Sequence, residues 1–342
     1  MFLVAALAHA APLVTPTQCD AAKDYNAAHA GVSLVVLVSG VEVCADFPNG
    51  GSREAPHELA SGTKSFTGLL AVALAGRGVL TFDERVADTL VEWQSDPRKS
   101  AMTIRQLLGL VSGLDAAPLG RETYASALAA EAFAEPGATF RYGSAPFQAF
   151  GEWVRRKTGE DPVAVLRRLV LDPIGCEPAT WRKGADGYPL LPAGAWLSAP
   201  EWALVGELVR QRGRWGTEQV LDPALLDELF VPSPAAPWYG VSWWLLRAVP
   251  AADRPADLRP LRHVPTAVPD WLPHDVVMAA GAGDQRLYVS READVVVVRQ
   301  AGGILAALAG RESGWSDVGF LATLLEPGRA VGADPPKTGE GP

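Results

Sequence analysis

Residues 57–68 read His57-Glu58-Leu59-Ala60-Ser61-Gly62-Thr63-Lys64-Ser65-Phe66-Thr67-Gly68. The next segment, residues 69–80, is apolar, periodic and free of proline, which predicts a helix with Ser61 at its start. Residues three apart share a helix face, so we expect the Lys64 amine to reach the Ser61 hydroxyl. A serine hydroxyl becomes a nucleophile when a neighbouring base takes its proton. The stretch therefore predicts a nucleophile and its base on one helical turn.

The start of this helix also suits a developing negative charge. Backbone N–H groups in the first turn lack partners within the helix, and the helix dipole places partial positive charge there. The backbone N–H of Ser61 is therefore a candidate oxyanion donor. The other interpretation of the same spacing is a solvated lysine beside a serine that caps the helix.

The segment from Ala60 to Gly68 resembles the active-site segment of the β-lactamase-related serine hydrolases. That superfamily includes class C β-lactamases, D-alanyl-D-alanine carboxypeptidases, D-aminopeptidases, esterases and 6-aminohexanoate-dimer hydrolases. Residues 103–114, 193–199 and 238–244 resemble three further segments of it. The resemblance implies catalytic use of Ser61 and Lys64.

A second motif in residues 135–144 resembles the PGxxxxYxN segment of the superfamily. It reads Glu135-Pro136-Gly137-Ala138-Thr139-Phe140-Arg141-Tyr142-Gly143-Ser144. The resemblance implies that Tyr142 is the second catalytic residue, since a phenol beside a lysine can relay a proton. A core tyrosine at the start of a helix is the other interpretation. Ser144 stands where the family usually has asparagine, so it offers a substrate one donor instead of two.

Residues 278–289 resemble the strand that carries Lys-Thr-Gly in the family. Met278, Ala279 and Ala280 stand where the cationic and hydroxyl residues usually are. We expect the second oxyanion donor at the backbone N–H of Gly281, because two backbone donors suffice for acyl transfer. Ala280 and Gly283 are the other expected substrate-binding positions. Without the cation a penicillin-type carboxylate loses its anchor, which favours neutral esters or amides.

Strand patterns, among them residues 239–247, lie at both ends of the chain around a helical middle, and a short helical pattern begins at Asp20. This order predicts an α+β fold, in which both chain ends build one antiparallel sheet, helices flank it, and a mainly helical lobe is inserted. The predicted division is a leader at 1–18, one catalytic domain at 20–327 and a disordered tail at 328–342. Within the domain, the α/β part is 20–82 and 236–327, and the helical lobe is 83–235. Lys337-Thr338-Gly339 repeats the third motif in the tail, where no strand pattern surrounds it.

Composition excludes several classes of partner. Of 342 residues, 48% are hydrophobic and 20% charged, which is typical of a globular protein. A net charge of −9 without a Lys/Arg cluster argues against nucleic acid or a membrane surface as a partner. No apolar run reaches the ~18–20 residues that a membrane span requires.

The N-terminus and the cysteines bear on the compartment. The apolar run from Phe2 to Ala8 ends near a small-x-small pattern typical of a signal cleavage site, but no basic residues precede it. We favour export to the periplasm or the extracellular space over a leader without an export role. Cys19 and Cys44 either form a disulfide, leaving Cys176 free, or all three are unpaired thiols.

These observations predict a serine hydrolase that forms an acyl-enzyme with a small-molecule or short-peptide ester or amide. The chain shows neither CxxC nor HExxH spacing, so we expect no metal and no cofactor. Two alternatives stay open. One is a true β-lactamase or D-alanyl-D-alanine carboxypeptidase with an atypical third motif. The other is a binding module whose site has decayed, which Ser144, the absent cation and Leu110-Val111 in place of the family's His-Thr make conceivable.

Overall fold

The computed structural model describes residues 14–115, 123–250, 252, 264–311 and 313–328. Within them the α-helices are Pro16–Ala28 (α1), Lys64–Ala75 (α2), Ile104–Leu108 (α3), Tyr124–Ala129 (α4), Ala145–Thr158 (α5), Pro162–Leu166 (α6), Ala199–Arg210 (α7), Pro223–Asp227 (α8), Ile304–Leu308 (α9) and Asp317–Leu325 (α10). The strands are Gly31–Val38 (β1), Val41–Asp46 (β2), His57–Glu58 (β3), Thr180–Trp181 (β4), Ala195–Leu197 (β5), Arg214–Trp215 (β6), Glu218–Gln219 (β7), Trp244–Leu245 (β8), Val277–Gly281 (β9), Gln285–Ser290 (β10) and Val295–Ala301 (β11).

The main sheet joins the two ends of the chain. Its strand order is β2-β1-β11-β10-β9-β8, and the paired strands run antiparallel. Strand β1 lies beside β11, with Val36 opposite Val297. The segment between β2 and β8 carries α2 to α8 and the short strands β3 to β7. The predicted α+β fold, with a sheet from both chain ends, is confirmed.

Both faces of this sheet are covered, which is why β10 and β11 are buried throughout. Helix α7 packs on one face, where Gly206 approaches so closely that an added Cβ would lie 2.4 Å from Val296 and 2.7 Å from Leu287. Successive strand residues point to opposite faces. Arg286 therefore points to the other face, where it pairs with Asp317 at the start of α10.

Several predicted elements differ from the observed ones in extent. The helix expected at Asp20 begins at Pro16, because Thr15 caps it and forms a reciprocal capping box with Gln18. The strand expected over residues 239–247 is limited to β8. The backbone of Ser242 there has φ of 67°, in the left-handed region, so the chain turns sharply instead of continuing extended.

Three predictions fall wholly or partly outside the described residues. The predicted leader is described only from residue 14, and its residues 16–18 lie in the first turn of α1. The predicted tail is described only at Gly328, and the triplet at 337–339 lies outside. Among the described helices, none is long and apolar enough to cross a bilayer.

Cys19 and Cys44 form a disulfide that links α1 to β2. Cys176 is free and buried. Of the two interpretations of the cysteines, the structure therefore supports the paired one.

We expect the double variant Cys19→Ser/Cys44→Ser to lose about 3 kcal/mol of unfolding free energy. The bridge spans a sequence separation of 25 residues, and its removal restores conformational freedom to the unfolded chain. Urea denaturation monitored by circular dichroism measures the loss. As a control, dithiothreitol should destabilise the wild type and leave the double variant unchanged. A wild type that is insensitive to the reductant contradicts the prediction.

Candidate active site

Ser61 lies in a 3₁₀ turn, Ala60–Thr63, that leads directly into α2. Strand β3 enters this turn paired with β5. The Thr63 hydroxyl fixes the turn, because it donates to the carbonyl of Ala60 at 2.7 Å and accepts from the N–H of Ala195 at 3.2 Å. Ala60 has φ of 46°, a left-handed conformation that is strained for a residue with a Cβ. Local hydrogen bonds thus hold Ser61 in a strained turn.

The Lys64 amine lies 3.0 Å from the Ser61 hydroxyl oxygen and donates to it. The amine also donates to the carbonyl of Pro192 at 3.2 Å. It lies 4.9 Å from the ring centre of Tyr142 and 5.5 Å from that of Phe147. Lys64 is only 2% exposed. The predicted reach of Lys64 to Ser61 is therefore present in the folded chain, within a largely dehydrated setting.

Tyr142 completes a cluster with these two residues. Burial raises the pKa of Tyr142 to about 12, against a smaller lowering by a hydrogen bond with Ser61 and by the positive charge of Arg286. The phenol therefore keeps its proton at neutral pH. A protonated phenol in hydrogen-bonding contact with the serine can both give and receive a proton as the serine changes charge.

An aromatic wall surrounds Tyr142. Its ring centre lies 5.4 Å from that of Trp244 and 6.5 Å from that of Phe140. Trp244 in turn packs edge-on against Tyr239 at 4.7 Å. The buried hydroxyl of Tyr239 and indole N–H of Trp238 have no hydrogen-bond partner among the described residues. This side of the site is mostly apolar, as ligand pockets usually are.

Gly281 ends β9 in direct contact with the Ser61 turn. A Cβ added at Gly281 would lie 2.1 Å from the carbonyl oxygen of Leu59 and 3.0 Å from the backbone nitrogen of Gly62. No side chain fits at that distance, so glycine is required for β9 to approach the turn. The structure thus brings Gly281 next to Ser61, as the third motif predicts.

The remaining predicted residues lie farther along the same segments. Ser144 is buried and precedes α5, where its carbonyl accepts from the N–H groups of Phe147 and Gln148. Ala280 is buried opposite Arg286 in the sheet. Gly283 lies in the turn after β9 and packs on the start of α9, with an added Cβ 2.5 Å from the nitrogen of Ile304. Their roles in substrate binding stay predictions.

Sequence reasoning missed two contacts of Lys64. Phe147, whose ring lies beside the Lys64 amine, comes five residues after Tyr142. The apolar periodicity of its segment indicates only a buried position. The carbonyl of Pro192 carries no sequence signal, because every residue has one. Among the described residues, no group of three or more His, Cys, Asp or Glu side chains could hold a metal ion.

Comparison with known proteins identifies the family of this chain. The Beta-lactamase family model matches residues 19–312. The chain belongs to the Beta-lactamase family. No curated protein matches it.

This Beta-lactamase family member also resembles solved structures. A penicillin-binding protein homolog from Caulobacter crescentus has a TM-score of 0.63 at 18% identity, covering 84% of this chain and 92% of that one. A family VIII carboxylesterase has a TM-score of 0.62 at 18% identity, with the same coverages of 84% and 92%. EstCE1, a hydrolase with promiscuous acyltransferase activity, has a TM-score of 0.64 at 19% identity, covering 83% and 92%. At these identities the likeness shows the shared fold.

We expect Gly281→Ala to lower the unfolding free energy by about 1–3 kcal/mol, because the new methyl group meets the Leu59 backbone and forces the strand away. Urea denaturation measures the change. Gly303→Ala is the matched control, since an added Cβ there meets nothing within 4 Å. We expect that variant to stay within about 0.5 kcal/mol of the wild type. Equal stability of the two variants would show that there is room for a methyl group between residue 281 and the Leu59 backbone, which contradicts the prediction.

Proposed function

We propose that this Beta-lactamase family member is a serine hydrolase that forms an acyl-enzyme with a neutral ester or amide. The observation that carries the proposal is the 3.0 Å contact between the Lys64 amine and the Ser61 hydroxyl oxygen, with the Tyr142 ring centre 4.9 Å from the same amine. Two groups that can exchange protons thus lie beside one hydroxyl.

In the proposed acylation step, the oxygen of Ser61 attacks the substrate carbonyl carbon. The neutral amine of Lys64 takes the serine proton, aided by Tyr142. A lysine acts as a base only without its proton, and removal from water is the usual route to that state. The C–O or C–N bond of the substrate then breaks, and the leaving group receives the proton through Tyr142.

The oxyanion of the tetrahedral intermediate needs donors that are already in place. The N–H of Ser61 lies in the turn that starts α2. The second donor belongs to the peptide between Gly281 and Ala282. Just before β9, the carbonyl of Val276 accepts from the N–H of Leu246, and Met278 lies opposite Trp244. The even-numbered residues of β9 therefore direct their backbone groups toward β8.

By this alternation the N–H of Gly281 is directed toward β10, and that of Ala282 toward the opposite edge. We therefore place the second donor at Ala282, one residue after the sequence prediction. Water then attacks the acyl-enzyme, with the neutral Lys64 amine as base and Tyr142 relaying the proton to the Ser61 oxygen, which releases the acid and restores the Ser61 hydroxyl.

The residues of β9 beside the Ser61 turn favour an uncharged substrate. Met278, Ala279 and Ala280, in place of the family's cationic segment, are all buried and apolar. The cation opposite Ala280 in the sheet, Arg286, is buried and pairs with Asp317. Esterases among the structural neighbours are consistent with this substrate class.

Export is the second part of the proposal. The Cys19–Cys44 bridge supports an oxidising compartment, because such bonds are rare in the cytosol. Fractionation of the source cells, with the bridge detected by thiol alkylation and mass spectrometry, tests this directly. Protein recovered only from the cytosolic fraction with both thiols alkylated contradicts export.

We expect a fluorophosphonate probe to label wild-type protein at Ser61, and Ser61→Ala to remove the label without changing the fold. Adduct mass and circular dichroism measure both. Ser65→Ala is the matched control, since its hydroxyl is buried one turn away and donates to the carbonyl of Ser242. A fluorescent penicillin run in parallel separates the alternatives. Labelling by both probes supports the penicillin-recognising one, and labelling by neither supports a binding module.

We expect Lys64→Met to lower kcat for p-nitrophenyl butyrate by about 10³-fold and Tyr142→Phe by about 10²-fold. Each loses a proton-transfer group and keeps the apolar bulk that packs against its neighbours. Steady-state kinetics at fixed pH provide the values. A Tyr142→Phe variant with wild-type kcat would assign the phenol a packing role alone.

A further inference from the structure

Arg286 is a buried cation on β10 that the proposed mechanism does not use. It is 3% exposed. Its Nε donates to Asp317 at 2.7 Å, and the same carboxylate accepts from the hydroxyl of Tyr288 and, at 3.2 Å, from the indole of Trp315. One edge of the guanidinium is thus held by an anchored carboxylate at the start of α10.

The other edge of the Arg286 guanidinium donates hydrogen bonds to the turn between β9 and β10. Its Nη1 donates to the carbonyl of Gly281 at 3.2 Å and to that of Gln285 at 3.0 Å. These two carbonyls lie at the two ends of the turn, opposite each other in the strand register. Because the guanidinium is planar and rigid, one side chain fixes both carbonyls relative to α10.

The carbonyl of Gly281 belongs to the same peptide plane as the N–H of Ala282. A trans peptide is planar, and its C=O and N–H point in opposite directions. The described peptides include no cis bond. A hydrogen bond that fixes the Gly281 oxygen therefore also fixes the direction of the Ala282 N–H, the proposed oxyanion donor.

The charge of Arg286 also acts on the site. Burial raises the pKa of Tyr142, and the positive charge of Arg286 partly offsets this effect. The guanidinium therefore lies close enough to the phenol for an electrostatic effect, although the two belong to different elements.

We propose that Arg286 is a positioning residue that orients the Gly281–Ala282 peptide toward Ser61, so that the Ala282 N–H meets the oxyanion. This inference rests on the proposed hydrolase function. It assigns the Arg286–Asp317 pair a role in the rate of acyl transfer, beyond its contribution to the fold.

The test compares three variants. Arg286→Lys keeps the charge beside Asp317 but cannot bond both that carboxylate and two carbonyls. Arg286→Met/Asp317→Asn removes both charges and so avoids an unpaired buried carboxylate. Arg299→Lys is the matched control: Arg299 is fully buried, lies opposite Arg286 on β11, and donates to Asn26 and to the carbonyls of His29 and Asp284.

The readouts are the melting temperature, kcat and KM for p-nitrophenyl butyrate, and the inhibition constant of a phenylboronic acid, whose tetrahedral adduct mimics the oxyanion. For Arg286→Lys we expect kcat to fall about 10-fold, and for the double variant about 10²-fold, with KM within threefold of the wild type. The inhibition constant should rise by the same factors. Arg299→Lys should lower the melting temperature and leave kcat within threefold.

Two results overturn the inference alone: wild-type kcat in a folded Arg286 variant, or an equal loss of kcat in Arg299→Lys. If Arg286→Lys does not fold, the double variant decides by the same criteria. A wild-type protein that neither turns over the ester nor reacts with fluorophosphonate overturns the proposed function first, and this inference with it.

Discussion

The antiparallel pairing of β1 with β11 is the constraint on which the rest of the structure depends. It joins residues 31–38 to residues 295–301, across nearly the whole sequence. Strands β10 and β9 are then built onto β11, which carries the end of β9 to the turn that holds Ser61. The closure of a long loop between β1 and β11 costs little more than that of a short one, since the entropy grows only with the logarithm of its length.

The Ser61 turn is held by contacts to separate parts of the chain. Thr63 bonds the N–H of Ala195 on β5, and Ser65 bonds the carbonyl of Ser242 before β8. Gly281 on β9 lies against Leu59. Each buried hydrogen bond contributes about 1 kcal/mol net, but leaving its partner unpaired costs more. The turn therefore cannot shift without disturbing three segments, and this fixes the position of Ser61.

Two buried basic residues lie near the site and have different surroundings. Lys64 donates to the Ser61 hydroxyl and to the Pro192 carbonyl, and its amine lies over two aromatic rings. Arg286 lies on the other face of the sheet and is paired with Asp317. The first arrangement suits proton transfer, and the second suits the fixing of backbone groups. The aromatic rings around Tyr142 make that side of the site mostly apolar.

Local sequence determined the parts that short-range physics controls. The spacing of Ser61 and Lys64 predicted a serine–lysine contact, because this contact depends on neighbours along the chain. The order of strand and helix patterns along the chain predicted the two-ended antiparallel sheet, although its pairing joins distant residues. The disulfide stayed one of two options, since pairing depends on distance in space. The strand expected at 239–247 was shortened by the left-handed turn at Ser242, which tertiary packing imposes.

Only the tertiary structure decided the surroundings of the site. Three of its contacts involve backbone carbonyls: that of Pro192 with the Lys64 amine, that of Leu59 with Gly281, and that of Gly281 with Arg286. Every residue has such groups, so residue types carry no signal for them, and they become specific only when distant segments meet.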